Sequence, residues 1–184
     1  MAVLLRILAI SGSLRAVSSN TSALQAAALI ARPGVEVWLY PDLARLPPFN
    51  PDLDTDEPPE TVQALRREIG LCDGLLISSP EYAHGMPGVL KNVLDWLVGS
   101  VEFAGTPTAL INNSPRSVHA VAQRRETLTM MAAELVESAS VTLDLAGRSL
   151  DAAGIAADPT LGGQLRDALA HFVEAIEATK ATRE

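Results

Sequence analysis

Residues 3–31 read VLLRILAISGSLRAVSSNTSALQAAALIA: an apolar run, a hydroxyl-rich loop, then a helical pattern. The run at 3–10 is continuous where a half-exposed strand would alternate, as expected of a strand covered on both faces. From residue 20 to 31, Leu24, Ala27, Ala28 and Ala31 recur at i, i+3, i+4, i+7, and Pro33-Gly34 stops the helix. The same alternation continues along the chain. Apolar runs stand at 35–39, 74–78, 108–112 and 140–143, and helical patterns at 60–71, 88–98, 117–137 and 159–181. Strands alternating with helices pair in parallel through crossover helices. We therefore expect an α/β protein with a five-stranded, doubly wound parallel sheet, helices on both faces, and one domain over residues 1–184.

Composition narrows the function. Acidic residues outnumber basic ones by 22 to 14, and only seven residues are aromatic, so a nucleic-acid binder, which needs a basic face and often stacking rings, is not expected. Residues 1–10 are too few to span a bilayer, contain Arg6 and lead into no small-residue cleavage site, so they read as structure, with no membrane partner. A single cysteine, Cys72, closes no internal disulfide, and three scattered histidines offer no zinc spacing. A reducing cytoplasm is the expected location. Cys72 falls on the apolar stripe of residues 60–71 and reads as a packed thiol. The proline-rich stretch 46–59, LPPFNPDLDTDEPP, reads as a solvated surface excursion. Its Asp52, Asp54 and Asp56 have calcium-loop spacing, but Glu57 replaces the glycine and Gln63 the bidentate glutamate.

The first loop, SGSLRAVSS at 11–19, carries the chemistry. No G-x-x-x-x-G-K-[ST] and no G-x-G occurs, so neither an NTPase phosphate loop nor the usual dinucleotide fingerprint is present. A phosphatase loop is excluded too, because the only cysteine lies on the second helix. What remains is a helix N-terminus, where unpaired N–H groups and the positive dipole end suit an anion. Ser13, Ser18, Ser19, Asn20 and Thr21 add uncharged hydrogen-bonding groups, and Arg15 a positive charge; the natural guest is a phosphomonoester. The alternative is a simple N-cap at Ser19 or Asn20. After the third strand, SPEYAHGMPG at 79–88 leads into another helix. In a doubly wound sheet of order 2-1-3-4-5 the first and third strands adjoin at the switch point, so both loops would meet where such folds hold ligands.

GSLR-x-x-S-x-N at 12–20 and PEY-x-x-x-x-PG-x-LKN-x-x-DW at 80–96 resemble the NADPH-dependent FMN reductases and the related azo- and quinone reductases, closely over residues 3–112 and beyond only in layout. The resemblance implies a flavodoxin-like fold, FMN as cofactor and NADPH or NADH as hydride donor. It assigns the FMN phosphate to Ser13, Arg15, Ser18 and Asn20. It runs Pro80, Glu81, Tyr82, Ala83, His84 and Gly85 past the flavin ring, with backbone N–H groups facing N5 and O4; no side-chain acid or base is required. Acceptors would be quinones, azo compounds, free flavin or metal oxyanions, reduced by a ping-pong cycle in a homodimer or homotetramer.

Two departures stand out. Where the family often has PEYNxS, this chain has Ala83 and Gly85 in place of the asparagine and serine. After Asn112, NNSPRSVHAV lacks the usual glycine and offers Asn113, Ser114 and Arg116; Arg15 and Arg116 are the candidates for the NADPH 2′-phosphate. The first departure keeps open a flavin-binding sensor or carrier, and the low pI, about 4.9, an electron-transfer protein docking to a basic partner, for which only Tyr82 could shield the ring. His84 either lines the cavity or faces solvent, and His119 and His171 read as helix-surface residues. Lys91 and Asp95 are spaced for a local ion pair. Val93, Trp96 and Leu97 are either core or an apolar face for a second subunit.

Overall fold

The computed structural model describes residues 4–183; Val3 of the first expected strand lies outside them. Strands β1 (Leu5–Ser11), β2 (Val35–Leu39), β3 (Gly74–Ser78) and β4 (Pro107–Asn112) alternate with helices α1 (Ser19–Ile30), α2 (Glu60–Leu71), α3 (Gly88–Leu97) and α4 (Val118–Met130). They pair in parallel in the order β2-β1-β3-β4, with β5 (Glu134–Leu135) at the edge, and the chain ends in α5 (Ala152–Ala157) and α6 (Pro159–Arg183). This is the flavodoxin-like order that the resemblance implies.

The continuous apolar runs divide by the period of two between the faces. Ile7, Ala9, Leu76, Ala109 and Ile111 pack against α1, α5 and α6. Leu8, Ile10, Leu75, Ile77 and Leu110 pack against α2, α3 and Leu128 of α4.

Two expectations about the far edge need correction. The helix expected over 117–137 ends at Met130, because Ala132 turns left-handed (φ 58°) and the N–H groups of Ala132 and Ala133 bond to the carbonyls of Thr129 and Leu128 at 3.0 and 2.9 Å. That is a Schellman closure with alanine where glycine is usual, so no stop signal showed. The edge strand expected at 140–143 is split, and the sheet has six strands: β5 pairs with the start of β4, and β6 (Val141–Thr142) with its end. Between them a 3₁₀ turn, Glu137–Ala139, loops out, and the Ser140 hydroxyl accepts the Leu110 N–H at 3.1 Å in place of a strand carbonyl. Helix α5 was not anticipated.

Val93, Trp96 and Leu97 are core residues, at most 1% exposed, which removes them as a partner-facing patch. The excursion at 46–59 is tied down: the Trp96 indole donates to Pro47 O at 2.8 Å, Phe49 meets its ring edge-on, and Arg66 bridges Asp54 to Trp96 O. Cys72 is partly buried, its Sγ donates to Ile69 O at 3.1 Å, and burial pushes the thiol up to about 12, so it is a packed, unreactive group. Lys91 and Asp95 form the expected pair. Among the described residues no helix is long and apolar enough to cross a membrane.

Candidate functional site

The carboxyl ends of β1 and β3 meet at Gly12. Its N–H bonds to Ser78 O at 2.8 Å, and a Cβ there would lie 2.3 Å from Ser79 Oγ and 2.7 Å from Ser79 Cβ, so only glycine lets the two loops approach this closely. Beyond it, Ser18 caps α1, its hydroxyl accepting the Thr21 N–H, while Thr21 Oγ1 and Ser11 Oγ lie 2.8 Å apart. Asn20 is buried and its Oδ1 accepts from Ser78 Oγ at 3.0 Å, which joins the first turn of α1 to β3. Ser13 is buried behind the loop, with its hydroxyl toward the Arg15 N–H. The first N–H groups of α1 have no intrahelical acceptor.

A cleft of about 570 Å³ opens over this terminus, within the range of small-molecule sites. Arg15, Ser19, Asn20, Pro80, Glu81, Asn113 and Ser114 line it; Ser13, Ser18 and Thr21 are not among its lining residues, and Arg116 is exposed on the loop before α4. Residues 145–151 form a wall that sequence reading missed, among them Arg148, whose guanidinium also pairs with Asp158 at 3.1 Å. The signal for it was present: the turn glycine Gly147 (φ 72°), then Asp151 capping the next helix by accepting the Gly154 N–H. Asn112 Oδ1 and both polar atoms of Asn113 are buried and unpaired, although both residues line the cleft. Buried polar groups are nearly always bonded, so these three atoms mark a place where a polar ligand completes the protein.

Tyr82, Ala83, His84 and Gly85 form a tight hairpin next to this wall. Tyr82 and Gly85 exchange hydrogen bonds at 2.9 and 3.0 Å, and Ala83 and His84 have φ of 49° and 60°, the pattern of a type I′ turn. Asparagine and glycine suit those positions, and alanine and histidine are strained there. Ala83→Asn is therefore expected to raise stability by about 0.5–1 kcal/mol, read as a higher urea midpoint with unchanged slope; a lower midpoint would show that the turn carries no such strain.

His84 points to solvent, with its ring edge-on to that of His119 and Nδ1 3.4 Å from Glu81 Oε1. Helix α4 braces the hairpin from outside: Gln123 Oε1 accepts the Met86 N–H at 2.7 Å, and Glu81 Oε2 accepts the Ala120 N–H at 2.8 Å, capping α4 where Ser117 does not. That backbone bond, aided by His119 and His84, holds the Glu81 carboxyl below the usual range. A depressed carboxyl pKa stabilises the fold above the unfolded value, near 4.3, and the contribution is lost as pH falls through the folded value. Thermal melts from pH 6 to 3 should show the wild type losing its advantage over Glu81→Gln in that acid window; parallel curves would contradict the cap.

Three comparisons bear on this geometry. The model of the NADPH-dependent FMN reductase family matches residues 5–147. The chain belongs to this family. It is accordingly an NAD(P)H-dependent oxidoreductase that uses FMN. Over 155 residues it is 34% identical to the NAD(P)H-dependent FMN reductase of Pseudomonas aeruginosa, covering 82% of this chain and 83% of that one. It is 41% identical over 113 residues to the 2-hydroxy-1,4-benzoquinone reductase of a Burkholderia species, covering 60% of this chain and 61% of the relative. Among solved structures, the flavoenzyme NAD(P)H:(acceptor) oxidoreductase FerB of Paracoccus denitrificans matches with TM-score 0.77 and 28% identity over 95% of this chain and 98% of its own.

The residues present fit FMN. A helix N-terminus with hydroxyls and Arg15 suits a phosphate, and the orphaned amide of Asn113 supplies a donor and an acceptor on the same wall.

Proposed function

We propose that residues 1–184 work as one FMN-binding domain that takes hydride from NADPH or NADH and reduces small acceptors, quinones first, in a ping-pong cycle. The observation that carries this reading is the unpaired amide of Asn113 in a cleft that begins at the α1 N-terminus. In this reading Ser13, Arg15, Ser18, Ser19, Asn20 and Thr21 form the phosphate loop, those that do not line the cleft by fixing the loop's shape. The backbone of Pro80 and Glu81, continued by the Tyr82–Gly85 hairpin, and Ser114 border the ring. When bound, FMN would supply two-electron chemistry: a hydride from NAD(P)H would bring two electrons and one proton, and a quinone would leave as the hydroquinone with its second proton drawn from solvent. The chain's own part is to hold the donor against the ring and keep the ring in place. Arg15 and Arg116 remain the candidates for the 2′-phosphate of NADPH, and Arg148 joins them as a cation on the cleft wall.

Quinone is placed first because a relative with 41% identity is named for a benzoquinone. Azo compounds, free flavin and metal oxyanions are the other proposed acceptors. A cytoplasmic homodimer or homotetramer is the proposed form: Leu14, Val17 and Tyr82, at the loops bordering the cleft, are 58%, 83% and 53% exposed, and burying them would give a second copy reason to dock. Adding NADPH anaerobically to the FMN-loaded protein tests the activity. Prompt bleaching at 450 nm, reversed by a benzoquinone, is expected; bound flavin that neither bleaches nor recovers would point to the sensor or carrier.

A further inference from the structure

Helix α4 buries one stripe, Ala120, Arg124 and Leu128. Its middle member is a guanidinium 1% exposed, at a position where the helical period calls for an aliphatic side chain. Nη1 donates to Ser79 O at 3.0 Å, whereas Nε and Nη2 are buried without a partner. Among the described residues no carboxylate lies within ion-pair distance of it. Glu81 is the carboxylate whose charge acts on it, and its two oxygens are already engaged by Ala120 N and His84; Arg125, the adjacent positive charge, turns away to Glu137. Burial lowers the Arg124 pKa to about 10, which leaves the side chain charged at neutral pH.

A buried, under-bonded charge is costly, and a well-packed apolar residue in its place is often neutral or stabilising. Stability alone therefore gives no reason for a guanidinium at this position. Its one bond fixes the carbonyl that precedes Pro80 and Glu81, both on the cleft wall. Resting on the reading that FMN occupies this cleft, we propose that Arg124 is a positioning residue that raises the reduction potential of the bound flavin, its buried positive charge standing behind Ser79–Glu81 where hydride arrival adds a negative charge to the ring. In a water-poor interior such a charge acts at longer range than it would in solvent. The Ser79 bond also keeps the Pro80–Glu81 backbone in register with the phosphate loop, because Ser79 is the residue that Gly12 abuts.

Charge and positioning separate in two variants. Arg124→Gln keeps an amide donor but is neutral, and Arg124→Lys stays charged. The readout is the two-electron potential of the bound flavin, by dye-linked anaerobic reduction at saturating FMN. The Gln variant should favour the oxidised state at least tenfold more than wild type, a fall of about 30 mV or more. The Lys variant should keep most of the wild-type potential. An unchanged potential in Gln, or a fall in Lys as large as in Gln, would overturn the proposal. If Gln holds no FMN, the volume-matched Arg124→Met takes its place; if neither folds with FMN bound, the guanidinium is structural and the proposal is wrong. A wild-type protein that binds no FMN would instead contradict the underlying reading of the cleft.

Discussion

Gly12→Ala is expected to destabilise the protein by about 1–3 kcal/mol, as overpacking does, and to weaken FMN binding at least tenfold. The new methyl would lie 2.3 Å from Ser79 Oγ, 2.7 Å from Ser79 Cβ and 3.3 Å from Leu90 Cβ. The hydroxyl can rotate away, but Ser79 Cβ cannot, so the phosphate loop and the segment after β3 must part. Parting them strains the Gly12 N–H bond to Ser78 O and moves the α1 terminus relative to Pro80 and Glu81. Ser79→Gly removes both offending atoms, so the double variant should recover much of the loss; residues in contact couple by about 0.5–3 kcal/mol in such cycles. Additive losses in urea unfolding and FMN titration would show that the close approach is not what glycine serves.

Asn113→Leu should separate stability from binding. Both polar atoms of Asn113 are buried and unpaired, so the ligand-free fold loses no hydrogen bond of that side chain when it is replaced by an aliphatic group of similar size. Unfolding free energy without ligand should stay within about 1 kcal/mol of wild type or rise, since an unsatisfied polar group is itself a cost. FMN binding should weaken by about tenfold to a hundredfold, the range of one or two lost hydrogen bonds of about 1.5–3 kcal/mol in total. An ordinary structural asparagine would show the reverse, a less stable ligand-free protein with unchanged affinity. Calorimetry on the two forms, with and without FMN, distinguishes them.

The parts of the site legible in the sequence are those written in local signals. The apolar run of β1, the cluster from Ser11 to Ser22 and the helical period after it lie within one stretch of chain, and the loop after β3 is bounded by proline and glycine. The rest depends on contacts between distant residues. Residues 145–151 reach the cleft because the split edge strand pairs with both ends of β4, and nothing local announces that break. Ala132 ends α4, and Ala83 and His84 turn the hairpin, in left-handed conformations without the glycine or asparagine that would reveal them. Arg124 stands in phase with Ala120 and Leu128 on the inward stripe of α4, but its charge breaks the apolar pattern there, so the residue type gives no sign that the fold buries it.

The most direct test of the account is a paired titration of the purified, flavin-free protein with FMN and with riboflavin, followed by flavin fluorescence. The two ligands share the ring and differ only in the phosphate assigned to the α1 N-terminus. Charge-assisted hydrogen bonds contribute about 1.5–3 kcal/mol each, so even two of them predict one FMN per chain bound about a hundredfold or more tighter than riboflavin. Equal affinities would remove the phosphate from the loop at residues 11–19, and a protein that binds neither flavin would contradict the assignment of the cleft.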